Sequence, residues 1–426
     1  TLTLTFNVQL FKGSTTIRIR SDTSVEEQQS IPLLPKASLP NDIVHDGTQT
    51  AYTVGFGSDS IFVSYGAGNY SFSSFEDFKN QVEATSNVTE KMAMVDAYMQ
   101  ERAKIGFPVV EGENATFVYR GKVSKQIFVA GDMNYWDTSK DVMTRLTETD
   151  LYYKTMIFPL DARLDYKFVR DGIWMLDPLN NLTVLGGFGP NSELRMPNYV
   201  PPPEIEYYPA IPHGTIETIK NFHSNFLKND RNIYVYLPPG YNTSKACPTF
   251  YVNDGREYID LAYFNNVVDY LLNEGAIKEI IVVFVPPVNR AAEYHLNENY
   301  TNFIVDELVP YIDSHYSTLS DPSSRGIMGA SYGGLISTYI TYNRSDIFGM
   351  CAGQSSYYSA DNDLMINAIR DGPKKDIRFY VDCGTFDIIG FIETNRRMRD
   401  AMLAKGYDLM YQEFHEGHSW GNWRAR

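Results

Sequence analysis

The chain has 426 residues, of which 43% are hydrophobic, and this length predicts two or three domains with enough apolar material for globular cores. Its formal net charge of −15 argues against binding to nucleic acid or to an anionic membrane surface, because both need basic patches. An unbroken apolar run of roughly 18 residues is absent from the sequence, so no segment is predicted to span a membrane.

Residues 1–109 are predicted to form a β-rich segment followed by a helical stretch. Short alternating apolar runs separated by turn residues are typical of strands. These runs are Thr1–Leu10, Thr16–Arg20 and Ser60–Ser64. Residues 74–105 instead place apolar side chains such as Phe75, Phe78 and Val82 at helical spacing, which predicts a helix that packs on a core.

Residues 110–200 are predicted to form an antiparallel β-sandwich, because short strands alternate there with turns. The strands are expected at 115–119, 126–130, 152–158 and 165–169. A proline-rich stretch from Met196 to Pro212 follows, which is typical of an extended connector and predicts a domain boundary near residue 204.

From residue 205 to residue 426, strands and helices alternate, which predicts an α/β domain. Strands are expected at 232–237, 248–253, 279–285, 325–329, 377–383 and 409–414, with helices at about 260–273, 297–315, 333–343 and 391–405. Continuous apolar strands with intervening helices indicate a mostly parallel sheet covered on both faces. Active sites in such sheets lie at the carboxyl ends of the strands.

One of these strands runs into the sequence Gly329-Ala-Ser331-Tyr-Gly333, a Gly-x-Ser-x-Gly motif. A tight turn between a buried strand and a helix holds the serine out at the sheet edge, and glycine on either side keeps side-chain bulk away from it. The following helix N-terminus favours negative charge that develops beside the serine. We therefore predict that Ser331 is a nucleophile, although a small residue at a packed turn is the alternative.

Two later strand ends supply partners for this serine, in the order Ser, Asp, His that is typical of α/β-hydrolases. A serine hydroxyl needs an imidazole to take its proton and a carboxylate to orient that imidazole. We favour Asp387 as the carboxylate over Asp382, which lies inside the apolar strand, and over Glu393, which lies on the next helix. We favour His418, which follows a glycine in a loop, over His415, which continues the strand alternation.

Backbone N–H groups that would hold an oxyanion can be placed as well. One is predicted to come from Tyr332, directly after the nucleophile, and the other from Gly255 or Arg256, in the loop after the strand at 248–253. An ordinary Asp-Gly turn is the alternative interpretation of that loop. Arg256 and Arg290 are expected near the mouth of the cleft, and Arg290 and Trp420 are our candidates for substrate binding.

The C-terminal part resembles the esterase D-like branch of the α/β-hydrolases, which includes feruloyl, acetylxylan and enterochelin esterases. The matching stretches are 231–241, 251–255, 285–290, 307–312, 329–334, 383–387 and 417–420. This resemblance implies that Ser331 is the nucleophile, Asp387 the orienting acid and His418 the base. Phe386 stands where the family often has an acidic residue, which reduces the local negative charge.

Residues 115–198 are similar to the early-set, immunoglobulin-like sandwich of glycogen- and starch-binding modules, which also precedes enterochelin-type esterases. The pattern lies at 129–136, 166–174 and 177–178. This resemblance implies that four side chains stack on or hydrogen-bond glucose units, because flat aromatic faces bury the apolar C–H surface of sugars. They are Trp136, Lys167, Trp174 and Asn191. In many enzyme-attached relatives the same residues instead pack against the catalytic domain.

The leading hypothesis is a serine carboxylic-ester hydrolase without metal or cofactor, which acts on short-chain acyl or aryl esters of small molecules or polysaccharides. A siderophore trilactone esterase of the enterochelin type is the alternative, although the acidic balance disfavours an anionic ferric siderophore. A non-catalytic carbohydrate-binding protein is the alternative from a different class.

The first residue is Thr rather than Met, which suggests a processed N-terminus and a secreted or periplasmic protein, with a cytoplasmic location as the alternative. The three cysteines, Cys247, Cys351 and Cys383, are predicted to be small buried hydrophobic residues rather than a disulfide framework or a metal site.

Overall fold

The computed structural model describes residues 15–20, 26–31, 52–57, 60–65, 70–424 and 426, with side chains from residue 70 onward. The chain divides into two compact units. The first comprises residues within 1–109, 118–122 and 144–153, and the second comprises 110–117, 123–143 and 154–426. Among the described residues, no helix is long and apolar enough to cross a membrane.

The first unit contains two antiparallel strand pairs and two helices. They are β1 (Thr15–Arg20) with β2 (Glu26–Ile31), β3 (Tyr52–Gly57) with β4 (Ser60–Tyr65), α1 (Phe75–Ala84) and α2 (Val88–Arg102). The strands predicted at 16–20 and 60–64 are confirmed, and the run at 1–10 lies outside the described residues. The stripe at 74–105 forms two helices rather than one, because Asn87 caps the start of α2 with its side chain.

Residues 110–200, here called the β-rich region, contain nine strands. They are β5 (Val109–Glu111), β6 (Asn114–Arg120), β7 (Ile127–Gly131), β8 (Thr144–Arg145), β9 (Leu151–Ile157), β10 (Arg163–Arg170), β11 (Ile173–Met175), β12 (Thr183–Gly186) and β13 (Gly189–Arg195). In the second unit, β11, β10, β13 and β12 form an antiparallel sheet in that order, and β7 also pairs with β10. The four strands predicted for this region are present.

Residues 205–426 are here called the hydrolase domain, because the sequence resembles α/β-hydrolases there, and they form an eight-stranded sheet. Its strands are β14 (Thr215–Ser224), β15 (Asn229–Leu237), β16 (Thr249–Asn253), β17 (Ile281–Val285), β18 (Arg325–Ala330), β19 (Met350–Gln354), β20 (Arg378–Phe386) and β21 (Asp408–Gly417). Their order is β14-β15-β17-β16-β18-β19-β20-β21, and β16 to β21 are parallel.

Helices connect these strands and cover the sheet. They are α3 (Gly255–Asp260), α4 (Phe264–Asn273), α5 (Arg290–Tyr294), α6 (Glu298–Asn302), α7 (Val309–His315), α8 (Tyr332–Asn343), α9 (Ala360–Asp371), α10 (Phe391–Ala404) and α11 (Trp420–Trp423). The strands β17 and β18 are buried along their whole length. Buried cores pack on the sheet, as predicted for a mostly parallel arrangement.

Several elements differ from the predicted ones. The predictions omitted β14, which is a largely exposed edge strand, and β19, whose sequence Met-Cys-Ala-Gly-Gln lacks β-branched and aromatic residues. They also omitted α9. The helix expected at 297–315 is interrupted by a π-helical turn over Phe303–Leu308, because Pro310 lacks the N–H that would continue the α-helical ladder.

Candidate active site

Ser331 lies at a strained turn between the buried strand β18 and helix α8. Its backbone has φ 57° and ψ −118°, a conformation that residues other than glycine rarely adopt. Backbone strain of this kind costs about 1–3 kcal/mol of folding free energy. A Cβ atom on Gly329 would lie 2.5 Å from the backbone carbon of Gly333, so the turn closes only without a side chain there. This geometry matches the nucleophile turn that the motif predicts.

His418 and Asp387 meet at the carboxyl ends of two adjacent parallel strands. Asp387 follows β20, His418 follows β21, and His418 Nδ1 lies 2.7 Å from Asp387 Oδ1. The same carboxylate oxygen accepts a hydrogen bond from the backbone N–H of Ile388, also at 2.7 Å. Because the buried carboxylate accepts the Nδ1 proton, the imidazole keeps Nε2 free to act as a base.

The competing candidates have other partners. Asp382 is fully buried within β20 and accepts a hydrogen bond from Gln354 Nε2 at 3.3 Å, whereas Glu393 is exposed on α10. His415 pairs with Asp161 at 2.6 Å. Asp387 is therefore the one of the three carboxylates that the structure brings to His418.

The buried carboxyl group of Asp382 predicts a pH dependence of protein stability. Burial raises the pKa of its carboxyl to about 7, above the value of about 4 in an unfolded chain. The folded state thus holds its proton more tightly, so the stability that Asp382 contributes is present below pH 4 and is lost as the pH rises through 7. We expect Asp382→Asn to lose less stability than the wild type between pH 5 and pH 8 in urea unfolding. Parallel pH profiles for the two proteins would contradict this.

The predicted oxyanion donors lie at the first turns of two helices. Tyr332 is the first residue of α8, and Gly255 and Arg256 are the first two of α3, so their N–H groups have no partner inside the helix. A side chain at Gly255 would overlap the backbone of Val285, which lets this segment pack flush on the end of β17. The Arg256 side chain points elsewhere, because its Nε lies 2.6 Å from Asp260 Oδ2.

Arg290 connects the two loops that carry these groups. Its guanidinium binds Asp254 through two hydrogen bonds of 2.7 Å, and Nη2 also donates to the carbonyl of Ala330 at 3.1 Å. Asp254 directly precedes Gly255, and Ala330 directly precedes Ser331. The contribution of Asp254 was not predicted from the sequence, because it depends on the left-handed backbone at the end of β16 (φ 55°).

Ser331 and His418 line one pocket of about 810 Å³, whose walls come from both the hydrolase domain and the β-rich region. The chain has four tryptophans, and all of them line this pocket: Trp136, Trp174, Trp420 and Trp423. The rings of Trp136 and Trp174 are 6.2 Å apart at an angle of 32°, and Trp423 meets His418 edge to face at 4.9 Å. Phe188, at the tip of the β12–β13 hairpin, is fully exposed at this pocket.

The four residues assigned to sugar contacts lie together in this pocket. Lys167 and Asn191 join Trp136 and Trp174 along the wall from the β-rich region, and Asn191 Nδ2 donates to Asp165 Oδ2 at 2.9 Å. The candidates for substrate binding, Arg290 and Trp420, belong to the hydrolase domain and line the same pocket. The sequence did not predict that these four residues would share a pocket with Ser331 and His418, because no local motif shows which surfaces of distant segments meet.

Comparisons with known proteins agree with this architecture. A family model described as putative esterase matches residues 224–426. An endo-1,4-beta-xylanase/feruloyl esterase of Xylanibacter ruminicola is 27% identical over 193 residues, which are 42% of this chain and 26% of that protein. An iron(III) enterobactin esterase of Dickeya dadantii is 20% identical over 400 residues, covering 78% of this chain and 90% of that protein.

The crystal structure of a ferric enterobactin esterase from Salmonella typhimurium has a similar fold. The TM-score is 0.67 at 17% identity, and the similarity covers 78% of this chain and 96% of that one. The chain therefore has an α/β-hydrolase-like fold, preceded by a β-rich region.

Proposed function

We propose that this protein is a carboxylic ester hydrolase of the esterase family that works through an acyl-enzyme on Ser331. Its proposed substrates are esters that carry an aromatic ring, as feruloyl esters do, as well as short acyl esters. The observation that carries the mechanism is the contact of Asp387 with His418, which lines the same pocket as Ser331 at its strained turn. Short acyl esters need only this catalytic centre, whereas aromatic esters would also use the tryptophan walls.

In the proposed reaction, Ser331 Oγ attacks the ester carbonyl carbon while His418 Nε2 takes its proton. The N–H groups of Tyr332 and of Gly255 or Arg256 bind the oxyanion, and His418 returns the proton to the leaving alkoxide. A water molecule, deprotonated by the same imidazole, then attacks the acyl-enzyme, and His418 passes that proton to Ser331 Oγ as the acid is released. Each oxyanion donor contributes about 3–4 kcal/mol to the transition state in enzymes of this type.

The aromatic walls support the proposed substrate class. A pocket of about 810 Å³ is within the range of sites that enclose a whole small molecule. The paired rings of Trp136 and Trp174 offer flat apolar faces, and flat faces bind both aromatic acids and sugar rings. We propose that the β-rich region is an early-set sandwich whose sugar-type residues hold the aryl group or the sugar of the ester that Ser331 cleaves.

A trilactone esterase of the enterochelin type is the second candidate, because the relative from Dickeya dadantii aligns with both the β-rich region and the hydrolase domain. The pocket offers little positive charge to an anionic ferric siderophore. Its lining contains four carboxyl side chains, Asp132, Asp165, Asp254 and Glu257, against the cations Lys167 and Arg290. Arg290 is already neutralised by Asp254.

The substrate class is tested by kcat/KM for methyl ferulate, p-nitrophenyl acetate and enterobactin, measured with and without iron. We expect turnover of methyl ferulate and p-nitrophenyl acetate, and weak or no turnover of the ferric siderophore. A preference for ferric enterobactin would replace the proposed substrate class with the second candidate. Absence of turnover on all three would contradict the substrate classes named here.

The aromatic wall itself can be tested with Trp174→Ala. We expect this change to lower kcat/KM for methyl ferulate roughly tenfold relative to p-nitrophenyl acetate, because stacking contributes about 1 kcal/mol beyond the buried area. Ile173→Ala is the matched control, since Ile173 is the exposed neighbour on β11 but does not line the pocket. Equal effects of the two substitutions on the ratio of the two substrates would argue against stacking.

Because all four tryptophans line the pocket, intrinsic fluorescence reports on its occupancy. Titration of a Ser331→Ala variant with methyl ferulate gives the dissociation constant without turnover. A weaker constant in the Ser331→Ala/Trp174→Ala double variant would assign the effect of Trp174 to binding.

A further inference from the structure

The turn that carries His418 is enclosed by side chains of the β-rich region. A Cβ atom on Gly417 would overlap the carboxyl group of Asp132, and one on Gly421 would overlap the guanidinium of Arg163. Arg163 Nη1 also donates to Ser419 Oγ at 3.3 Å. Both neighbours of His418, and the first turn of α11 after it, therefore contact two side chains that lie more than two hundred residues earlier in the sequence.

Arg163 is held in place by buried acidic residues. Its guanidinium forms ion pairs with Glu193 at 3.3 Å and with Glu416 at 3.7 Å. It also lies 2.6 Å from Asp165 Oδ1, close enough for an ion pair although the angle is not that of a hydrogen bond. Only 1% of the Arg163 surface is exposed, and Glu416 lies two residues before His418. Removing such a partner leaves buried charge uncompensated.

These surroundings fix the charge of Arg163 and the conformation of both Arg163 and Asp132. Burial by itself lowers the pKa of the Arg163 guanidinium, but the carboxylates of Asp165, Glu193 and Glu416 outweigh it and raise the pKa above its ordinary value, so the group stays charged. The Asp132 carboxyl accepts hydrogen bonds from the backbone N–H of Asp165 at 2.8 Å and from Trp136 Nε1 at 3.1 Å.

We propose that Arg163 and Asp132 are positioning residues that hold the His418 turn, so that the β-rich region is part of the catalytic machinery. This inference rests on the proposed function, in which His418 is the base. A base held about 1 Å from its working position can lose roughly a hundredfold in rate. Arg163 and Asp132 contact the turn from the β-rich region, and none of the three triad candidates lies in that region.

The test replaces Arg163 with methionine and with lysine in the full chain. We expect Arg163→Met to lower kcat for p-nitrophenyl acetate by roughly 10- to 100-fold with little change in KM, because the turn moves while the pocket remains. Arg163→Lys should recover part of kcat by restoring the buried charge. The rate at which a fluorophosphonate labels Ser331 should fall in parallel with kcat, since both depend on the imidazole.

Arg325→Met is the matched control. Arg325 is as buried as Arg163 and pairs with Asp313 at 2.7 Å, but it lies at the start of β18, about 20 Å of strand away from Ser331. The Arg325→Met variant should have a lower free energy of unfolding, measured by circular dichroism, but an unchanged kcat per folded molecule, measured by active-site titration. If Arg163→Met does not fold, Gly421→Ala, which displaces the guanidinium without removing its charge, should give the same loss of kcat.

An unaltered kcat in folded Arg163→Met would overturn this inference, and so would a loss of kcat no larger than that in Arg325→Met. If Arg163→Met does not fold, an unaltered kcat in Gly421→Ala would overturn it instead. Normal labelling of Ser331 in the wild type alongside that result would leave the proposed function standing. Absence of wild-type labelling would overturn the proposed function and this inference together.

Discussion

Replacing Ser331 with alanine is expected to lower kcat for p-nitrophenyl acetate by roughly 10⁶-fold, since the nucleophile and its base act as a unit in serine hydrolases. The alanine variant should fold normally, because removing one hydroxyl leaves the turn between β18 and α8 intact. The strain at φ 57° is carried by the backbone and not by the side chain. Initial rates of p-nitrophenol release, with unfolding curves for both proteins, measure the two expectations.

Ser314→Ala controls for the loss of a hydroxyl elsewhere in the hydrolase domain. Ser314 lies on α7, and its hydroxyl donates to the carbonyl of Tyr311 at 2.8 Å on the protein surface. Its kcat should equal that of the wild type. Retention of more than a small fraction of the activity in Ser331→Ala would show that another group performs the attack, and the acyl-enzyme mechanism would have to be abandoned.

The catalytic candidates could be predicted from the sequence because each follows a strand of the parallel sheet. Ser331, Asp387 and His418 come directly after apolar runs, and parallel strands bring their carboxyl ends to one edge. Strand alternation also separated Asp387 from Asp382, since only the residue past the strand end is free to reach a neighbouring loop. Local sequence patterns were therefore enough to predict that His418 and Asp387 would be close, and the structure places their side chains 2.7 Å apart.

The pocket and the support of the His418 turn could not be predicted in the same way. They depend on contacts between segments far apart in the chain, such as Arg163 with Ser419 or Trp136 with the pocket of Ser331. An isolated arginine in a strand sequence has the pattern of a surface residue, and only the packed structure shows that it is buried among three acids. Gly417 and Gly421 were the available signals, because a glycine beside a candidate base indicates a close approach.

Replacing Asp387 with asparagine is expected to lower kcat by roughly 10⁴-fold, the loss seen when a triad carboxylate is neutralised without a change in shape. The amide side chain can donate to the imidazole where the carboxylate accepted from it, which favours the tautomer with a protonated Nε2. That tautomer cannot take the proton of Ser331. The buried carboxylate also no longer stabilises the imidazolium that forms during attack. KM should change little, because Asp387 does not line the pocket.

Asp382→Asn is the control for this change, since Asp382 lies within β20, the strand that Asp387 follows, is also buried and undergoes the same change from carboxyl to amide. Its side chain bonds to Gln354 rather than to His418, so kcat should stay close to the wild-type value. The two variants together separate the general effect of removing a buried carboxyl from the orientation of one imidazole. A loss of kcat in Asp382→Asn as large as that in Asp387→Asn would mean that buried charge near the sheet edge, and not the contact with His418, sets the rate.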